Sequence, residues 1–594
     1  MKKQEKKFVL AGLALLAITG LLALAGCKND TVPEPTRYTV KFDKNAEDAS
    51  GEMQSQIFTE GVEQELSANQ FRRDTYTFSG WSEDKAATAP TYKDKAKFKA
   101  TKDTTLYAVW TDNGTVDPVT FSLPDCTKFY FGESIAVSLE TTTEGATIQY
   151  KLGNQNWQDY TADTTISITG DTTITAKATK EGLKPSTETT ATYTVRKLEG
   201  ITVTTLPART VYSVGEEVVH KKDEEIEVTA TYDEGEERAV TGTITTDTST
   251  LTQSAGIGKK VTVSYTEGDT RKEATFTVDV ASYQFTETVQ DVDSSYTGTM
   301  TDGDYKKFGD WPQTIKDENV TVGKNTMTRG GMDFHVGSDG NYYVEAEEKA
   351  NGSGTEYKYS NGDQAGQGGT STKWFKVEPI VWRVLNKDYA STKKALLLAE
   401  SILTGGIKWA DSRNNYMQSY IRQWLNGNSG TGETSDYGGD AGFLQTAFTA
   451  DAQSLIADTS VDNSAASTIP SGITDEDLEL DWNSGENQYA SDTPTKDKIF
   501  LLSQQEATNS EYGFGAYDDL DSARIRVTTD YAKATGAYQI STAGGWWWLR
   551  SPFHLRENLA PVIFDDGSAY NLGHDVYLAS WGVVPALSIS LGGN

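Results

Sequence analysis

Cysteine, histidine and basic residues are all scarce in this chain of 594 residues. Its two cysteines, Cys27 and Cys126, cannot supply a cysteine zinc site or a disulfide framework. The four histidines never show the i, i+4 spacing of a zinc protease helix. The chain has 54 Lys and Arg but 85 Asp and Glu, so its net charge is −31. This negative charge disfavours nucleic acid and anionic membrane surfaces as partners. We therefore predict no cofactor, no metal site and no nucleic-acid partner.

Long apolar runs are also missing, apart from one that follows Lys6 and Lys7 and extends from Phe8 to Ala25. A basic start, a short apolar run and small residues are typical of a signal peptide rather than a spanning helix. The sequence Leu-Ala-Gly-Cys that ends at Cys27 resembles the lipobox of bacterial lipoproteins. This resemblance implies cleavage before Cys27 and a lipid on its sulfur, and several acyl chains give stable anchoring. The alternative is an ordinary secretory signal in which Cys27 is incidental.

We therefore predict a signal peptide over residues 1–26 and a lipidated tether over residues 27–36. The chain would reside in the bacterial cell envelope, exposed on the surface and attached to the membrane through the lipid on Cys27. A chain of this length is also expected to form several domains.

A small β-grasp-like module is predicted over residues 37–112. Tyr38, Val40 and Phe42 alternate as on one face of a strand. The later motifs "YTFSGW" and "TTLYAVW" resemble the B-repeat of internalin-type surface proteins. We interpret the aromatic residues of this module as core rather than as a ligand platform; they are Phe78, Trp81, Tyr107 and Trp110.

Two β-sandwiches are predicted next, over residues 119–196 and 197–281. Both are rich in threonine and valine, which suit pleated, half-buried strands. The first resembles the immunoglobulin-like domain found C-terminal in chitobiases, and we expect its Trp157 to be a buried strand residue rather than a sugar platform. The second resembles a bacterial immunoglobulin-like domain, with a hairpin turn at Asp233-Glu234-Gly235. Neither contains a catalytic constellation.

Residues 283–594 differ in composition and are predicted to form a separate α+β domain with its own core. Helical spacing is present in "NNYMQSYIRQWLN", which ends before Gly427, and in "FLQTAFTADAQSLI". Strand-like runs are "KWFKVEPIVWRVLN", "KALLLAES" and "DKIFLLS". The predicted fold class is therefore a mostly β stalk followed by an α+β domain.

This last domain contains, in order, "KFGDWPQT", "WFKVEPIVWRVL", "DKIFLLSQQEA", "WWWLRSP" and "GVVPALSI". Together these motifs resemble a C-type-lectin-like domain of the formylglycine-generating type, as found in variable lipoproteins diversified by retroelements. In that family the segment after "WWLRSP" varies while the fold around it is fixed. The usual arginine before the closing proline is replaced by Val584. The resemblance implies a variable segment over residues 546–587.

Within this segment Trp546 to Leu549 are expected to be a buried anchor, with Arg550 paired to backbone or a carboxylate. Adenine-directed mutation of Asn codons yields a restricted set of residues, which excludes Glu557 and Trp581. The residues compatible with it form the predicted ligand-binding face: Phe553, His554, Arg556, Asn558, Ile563, Phe564, Ser568, Tyr570, Asn571, His574, Asp575, Tyr577 and Ser580. The alternative is an ordinary loop region on the same scaffold.

Three functions remain in competition. The first is an envelope lipoprotein that binds an unknown protein or glycan ligand. The second is a structural or adhesive surface protein without a variable site. The third is an enzyme, since related folds oxidise sulfatase cysteines; however, this domain has no cysteine, and neighbouring Asp565 and Asp566 would face opposite sides of a strand. We therefore favour a protein that binds without catalysis.

Overall fold

Strands account for most of the secondary structure in the computed structural model. The structure describes residues 34–216, 226–292, 300–350, 357–366, 368–369, 371–427, 441–473, 487–517, 519–539, 544–554, 556–569 and 573–591. The predicted signal peptide and Cys27 lie outside the described residues. The chain divides into two units, of which one ends at Arg196 and the other begins at Lys197.

The first module of the first unit is a four-stranded mixed sheet with the order β2-β1-β6-β4, beside a small β3-β5 ladder. Its strands are β1 (Arg37–Asp43), β2 (Gln56–Thr59), β3 (Gln64–Glu65), β4 (Tyr76–Ser82), β5 (Lys97–Phe98) and β6 (Thr104–Asp112). The predicted alternation places Val40 and Phe42 inside, and Trp81 is fully buried with its ring centroid 4.8 Å from that of Phe42. Trp81 is therefore core and Phe78 and Trp110 pack against it, as predicted, whereas half-buried Tyr107 is not part of this core.

The second module places a five-stranded sheet, β12-β11-β14-β15-β8, and two small ladders around one apolar core. Its strands are β7 (Thr120–Phe121), β8 (Thr127–Phe129), β9 (Ile135–Val137), β10 (Leu139–Glu140), β11 (Thr147–Leu152), β12 (Gln158–Tyr160), β13 (Ile166–Ile168), β14 (Thr172–Thr179) and β15 (Thr189–Val195).

Trp157 differs from its prediction. It precedes β12 instead of lying within a strand, and it is only half-buried. The ammonium groups of Lys151 and Lys177 lie 4.9 and 4.2 Å from its ring centroid. Trp157 is therefore covered by lysine side chains and not by the core.

The third module, at the start of the second unit, contains a β16-β18-β19 sheet and a β17-β22-β21-β20 sheet. Its elements are β16 (Leu198–Thr205), β17 (Val211–Ser213), β18 (Glu227–Tyr232), β19 (Glu237–Val240), β20 (Thr243–Ile244), α1 (Thr248–Leu251), β21 (Gly256–Glu267) and β22 (Thr270–Ala281). As predicted, Asp233-Glu234-Gly235 forms the turn between β18 and β19, where Glu234 and Gly235 have φ of 65° and 77°.

Two buried residues of the third module pack into the core of the C-terminal domain. Val211 and Ala281 belong to the same cluster of buried apolar side chains as Phe334 and Tyr342. At the junction the carbonyl oxygen of Gly340 accepts hydrogen bonds from the backbone N–H groups of Ser282 and Tyr283, at 2.9 and 3.0 Å. The sequence predicted a separate domain from residue 283, whereas the structure groups everything from Lys197 onward.

The C-terminal domain is built on a nine-stranded sheet, with β25-β26-β27-β28-β29-β39-β33 as its main path and β24 paired to β28. Its strands are β23 (Gln290–Asp291), β24 (Tyr305–Ile315), β25 (Val322–Arg329), β26 (Met332–Gly337), β27 (Tyr342–Glu347), β28 (Thr372–Asn386), β29 (Lys394–Ala399), β30 (Ser401–Ile402), β31 (Thr459–Val461), β32 (Thr495–Asp497), β33 (Ile499–Phe500), β34 (Val527–Thr528), β35 (Trp547–Trp548), β36 (Leu559–Ala560), β37 (Val562–Ile563), β38 (His574–Asp575) and β39 (Ala586–Ser590). The three predicted strand-like runs correspond to β28, β29 and β33.

Short helices cover this sheet. They are α2 (Tyr420–Asn426), α3 (Phe443–Ala447), α4 (Ala450–Leu455), α5 (Gln504–Ala507) and α6 (Asp530–Ala534). The hydroxyl of Ser419 caps α2 by accepting from the N–H of Arg422, and Gly427 ends it with a φ of 71°. The second predicted helical stretch is broken at Phe448 into α3 and α4, because Phe448 has an extended backbone conformation.

Candidate ligand-binding face

The anchor of the predicted variable segment is a short antiparallel ladder between β35 and β37. Trp547 lies opposite Ile563 and Trp548 opposite Val562, and all four side chains are fully buried. The indole nitrogen of Trp547 donates to the carbonyl of Arg524 at 3.2 Å. Val562 here, and Val576, Val583 and Leu587 beyond it, point inward as predicted.

Arg550 extends the anchor into the interior. Its guanidinium forms an ion pair with the carboxylate of Glu506 and donates to the carbonyls of Leu501 at 2.8 Å and Asp462 at 3.0 Å. Burial disfavours the charged guanidinium, but the Glu506 carboxylate together with Tyr389 and Tyr416 raises the pKa of Arg550. The sequence predicted a backbone or a carboxylate partner, and Arg550 has both.

Five aromatic side chains, which we name the aromatic cluster, lie beside the anchor: Tyr538, Trp546, Phe564, His574 and Trp581. Trp546 is at its centre, with ring centroids 4.4 Å from Phe564, 5.3 Å from His574 and 4.9 Å from Trp581. Tyr538 contacts both tryptophans with centroid distances of 5.4 Å. The cluster joins three separate stretches of sequence into one surface.

The aromatic cluster is open to solvent on one side. All members except Trp581 are half-buried, and the indole nitrogen of Trp546 donates to the Asp565 carboxylate at 2.9 Å. Burial lowers the pKa of His574, although the charge of Asp575 opposes the shift. Within the described part of the chain, Nε2 of His574 and Nε1 of Trp581 have no hydrogen-bond partner. The cluster therefore offers half-exposed ring surface, and beneath it lie two buried nitrogen atoms without a described partner.

The loop between the anchor and β36 is held by a residue that sequence reasoning missed. The side-chain amide of Asn414 donates to the carbonyls of Phe553, Arg556 and Leu559, at 3.1, 3.0 and 2.7 Å. Asn414 is almost fully buried. Its distance in sequence from the loop explains why no local pattern signalled this role.

Most of the predicted face residues reach the surface. Arg556, Tyr577 and Ser580 are exposed, and the half-buried members are His554, Asn558, Phe564, Ser568, His574 and Asp575. Asp575 organises part of this surface by accepting from the amide of Asn558 at 2.7 Å and from the hydroxyl of Tyr577 at 3.1 Å. Tyr570 and Asn571 lie outside the described residues.

Two of the predicted face residues point away from solvent, which corrects the predicted face. Ile563 is fully buried because it pairs with Trp547 in the anchor ladder. Phe553 is 8% exposed, and its backbone N–H bonds back to the carbonyl of Leu559 at 3.1 Å. Both side chains therefore support the face and do not form part of its surface.

The carboxylates Asp565 and Asp566 serve local structure. Asp565 orients Trp546, and Asp566 accepts from the N–H and hydroxyl of Ser568 at 3.0 and 2.7 Å. Gly567 completes this turn with a φ of 79°, where a side chain would overlap the carbonyl of Asp521. Among the residues that the structure describes, no His, Cys, Asp and Glu side chains form a group of three or more that fits a metal ion. The described helices also include none with the length and apolar character needed to cross a bilayer.

Comparisons with known proteins identify two segments. Residues 38–109 match the Listeria-Bacteroides repeat domain, which agrees with the predicted repeat module, and residues 392–591 match a family described as a domain of unknown function (DUF6273). The anchor and the aromatic cluster both fall within the second match. No curated protein shows significant similarity to the chain.

Similar solved structures include the fibronectin(III)-like modules of Clostridium thermocellum CbhA, at 16% identity over 27% of this chain and 94% of that one, with a TM-score of 0.14. The D00-D0 domain of intimin is 15% identical over 27% of this chain and 99% of that one, with a TM-score of 0.12. A D1-D4 fragment of ICAM-5 is 11% identical over 61% and 98%, with a TM-score of 0.17. The multidomain, β-rich character of the chain is established, and these scores support no functional conclusion.

Proposed function

We propose that this protein is a lipid-anchored lipoprotein of the bacterial cell envelope that presents a ligand-binding domain of C-type-lectin-like fold. Its repeat module and two immunoglobulin-like sandwiches would act as the stalk. The ligand would be a protein or a glycan, and the binding face would be diversified by a retroelement. The observation that carries this proposal is the placement of a half-exposed aromatic cluster on a fully buried anchor.

Diversification requires that the residues that stabilise the fold differ from the residues that contact the ligand. Substitutions at buried tryptophans cost several kcal/mol, whereas surface substitutions usually cost less than about 0.5 kcal/mol. Trp547 and Trp548 belong to the first class, while Arg556, Tyr577 and Ser580 belong to the second. Tyrosine, histidine, arginine and asparagine side chains also make contacts that are both anchored and adaptable.

Lipid attachment is tested by labelling the full chain with radioactive palmitate. Cys27→Ser should abolish incorporation, because the thioether requires the Cys27 sulfur. The matched control is Cys126→Ser, which changes the other cysteine, an exposed free thiol. Equal labelling of the Cys27→Ser variant and the unchanged protein would refute the anchor.

Diversification is tested in the neighbouring DNA. We expect a near-copy of the codons for residues 546–587 that differs mainly at adenines and lies beside a reverse-transcriptase gene. Related chains should then vary at Arg556, Asn558 and Tyr577 while Trp547 stays constant. Variation spread evenly over the domain would leave an adhesive protein without a variable site as the better description.

Ligand binding is tested by screening the full chain against glycan and protein arrays. A combined Arg556→Ala and Tyr577→Ala variant should lose or change its ligand at an unchanged melting temperature. Tyr305→Ala is the matched control, because Tyr305 is 45% exposed and lies outside the predicted face. Identical binding profiles for both variants would contradict the assignment of the face.

A further inference from the structure

A cavity opens in the C-terminal domain, and its lining contains none of the predicted face residues. It has a volume of about 270 Å³ and lies where the β25–β26 turn, the segment after β30, and helices α2 and α6 meet. We name it the glycine cleft, after Gly330, Gly331, Gly405, Gly406 and Gly442 in its lining. Cavities that hold drug-sized ligands are about 300–1,000 Å³. The glycine cleft therefore suits a ligand with a single ring.

The glycines allow neighbouring segments to pack closely around the cleft. Gly406 has a φ of 71°, and a side chain there would overlap both the ammonium of Lys349 and the carbonyl of Thr535. A side chain at Gly405 would overlap the backbone of Ala537. Because the backbone is bare at these positions, the Lys349 side chain can extend along the wall.

Three hydrogen-bond donors in the lining have no acceptor among the described residues. They are the ammonium of Lys349, which is an exposed residue, the hydroxyl of Tyr531 and the indole N–H of Trp424. Tyr531 is only 8% exposed, and burial alone raises the pKa of its hydroxyl to about 12. The Tyr531 hydroxyl is not among the fully enclosed, unpartnered polar atoms of the described residues, so a ligand in the cleft could reach it.

The threonine hydroxyls of the same wall are already engaged. Thr404 donates to the carbonyl of Gly405 at 3.0 Å, and Thr535 accepts from the N–H of Gly405 at 2.9 Å while donating to the carbonyl of Tyr531 at 3.0 Å. The side-chain groups of the cleft that have no described partner are therefore hydrogen-bond donors. No carboxylate side chain is present in the described lining to compete for it.

These hydrogen-bond donors restrict the chemical class of ligand that the cleft can bind. An amino acid would bury an ammonium group with no carboxylate to receive it, and a dicarboxylate would need a second cation beside Lys349. A ring with one carboxylate satisfies the single ammonium, and the half-buried indole of Trp424 provides an apolar wall for the ring. The oxygen of a hydroxyl on such a ring would accept from the indole N–H of Trp424.

We propose that the glycine cleft binds a hexuronic acid, with its carboxylate received by Lys349 and Tyr531 and its ring placed against Trp424. The ligand is either the free sugar acid or a terminal residue of a glycan. This site is independent of the proposed function of the aromatic cluster, since the two share no residue.

The test is calorimetric titration of the full chain with glucuronate, galacturonate, their methyl glycosides and glucose. We expect a hexuronate to bind at least about tenfold more tightly than glucose, and Lys349→Met to remove about that preference. Tyr531→Phe should weaken hexuronate binding severalfold without loss of the melting temperature, because the ring remains. Lys324→Met is the control, since this exposed lysine lies outside the cleft and should leave binding unchanged.

The two ligand sources separate in the same experiment. Binding of the free acids but not of the methyl glycosides indicates a free sugar acid, whereas binding of both indicates a terminal glycan residue. The proposal is overturned if no hexuronate binds at millimolar concentration, if glucose binds equally well, or if Lys349→Met and Tyr531→Phe leave binding unchanged. Loss of array binding at the aromatic cluster would not affect this result.

Discussion

The indole rings of Trp546 and Trp581 stack with their centroids 4.9 Å apart and their planes inclined by 22°. The next residue, Trp547, faces the other way and is fully buried in the anchor. Neighbouring residues on a strand point to opposite faces. One tryptophan therefore belongs to the open cluster and its neighbour to the interior.

Trp547→Ala should lower the free energy of unfolding by about 3–5 kcal/mol, as for other buried large aromatics. Trp546→Ala should cost less, because Trp546 is half-buried. Urea denaturation of the full chain measures both, with Tyr577→Ala as a control that should stay within about 0.5 kcal/mol. Equal costs for the two tryptophans would contradict the division into anchor and face.

The packing of the third module against the C-terminal domain predicts where the chain can be cut. A fragment of residues 197–594 should melt at the temperature of the corresponding transition in the full chain. A fragment of residues 282–594 should melt at a lower temperature, because it loses the contacts of Val211 and Ala281 with the core of the C-terminal domain. Calorimetry compares the two, and identical melting temperatures would show that the third module contributes no stability.

A buried ion pair joins α2 to the end of β32. Nε of Arg422 lies 2.9 Å from the Asp497 carboxylate, and the two side chains are 5% and 2% exposed. Arg422→Met should cost about 3–5 kcal/mol, because Asp497 would remain as an unpaired buried charge. Adding Asp497→Leu should recover most of that loss, and denaturation of the single and double variants measures it. A double variant as unstable as Arg422→Met would contradict this explanation.

His574 should make stability depend on pH in the mildly acidic range. Its pKa in the folded protein is below the usual 6.5 because of burial, so the unfolded chain binds the proton more tightly. The stability contributed by neutral His574 is therefore complete above pH 6.5 and is lost as the pH falls through the folded value. Melting temperatures at about pH 7.5 and about pH 5.5 should differ less in His574→Phe than in the unchanged protein. The same pH dependence in both would exclude His574 as the titrating group.

Local sequence patterns were sufficient to predict the features that depend only on residues close together in the sequence. The alternation around Val40, the helix that ends at Gly427 and the run that became β28 all follow from spacing and turn chemistry. The anchor predicted from Trp546 to Leu549 also follows for Trp547 to Leu549, because so many large apolar side chains cannot remain in water, whereas Trp546 is half-buried and belongs to the aromatic cluster. Each of these features lies within a single stretch of the chain.

The remaining features depend on contacts between distant residues. Ile563 has the same local pattern as an exposed strand residue, and only its pairing with Trp547 buries it. Trp157 resembles a core residue, yet two lysines from neighbouring strands cover it. The glycine cleft gathers residues from Trp311 to Thr535, so no local motif could have indicated it.

The position of β39 sets the order in which the C-terminal domain can be assembled. This strand lies between β29 and β33, and its residues Ala586 to Ile589 are all buried. A nascent chain on the ribosome therefore lacks an interior strand of its main sheet until it has been extended past residue 590. If the domain folded before residue 590 was synthesised, β29 and β33 would lack β39, the strand that lies between them. This delay suits a polypeptide that must be threaded through a secretion channel in an unfolded state, as the proposed envelope location requires.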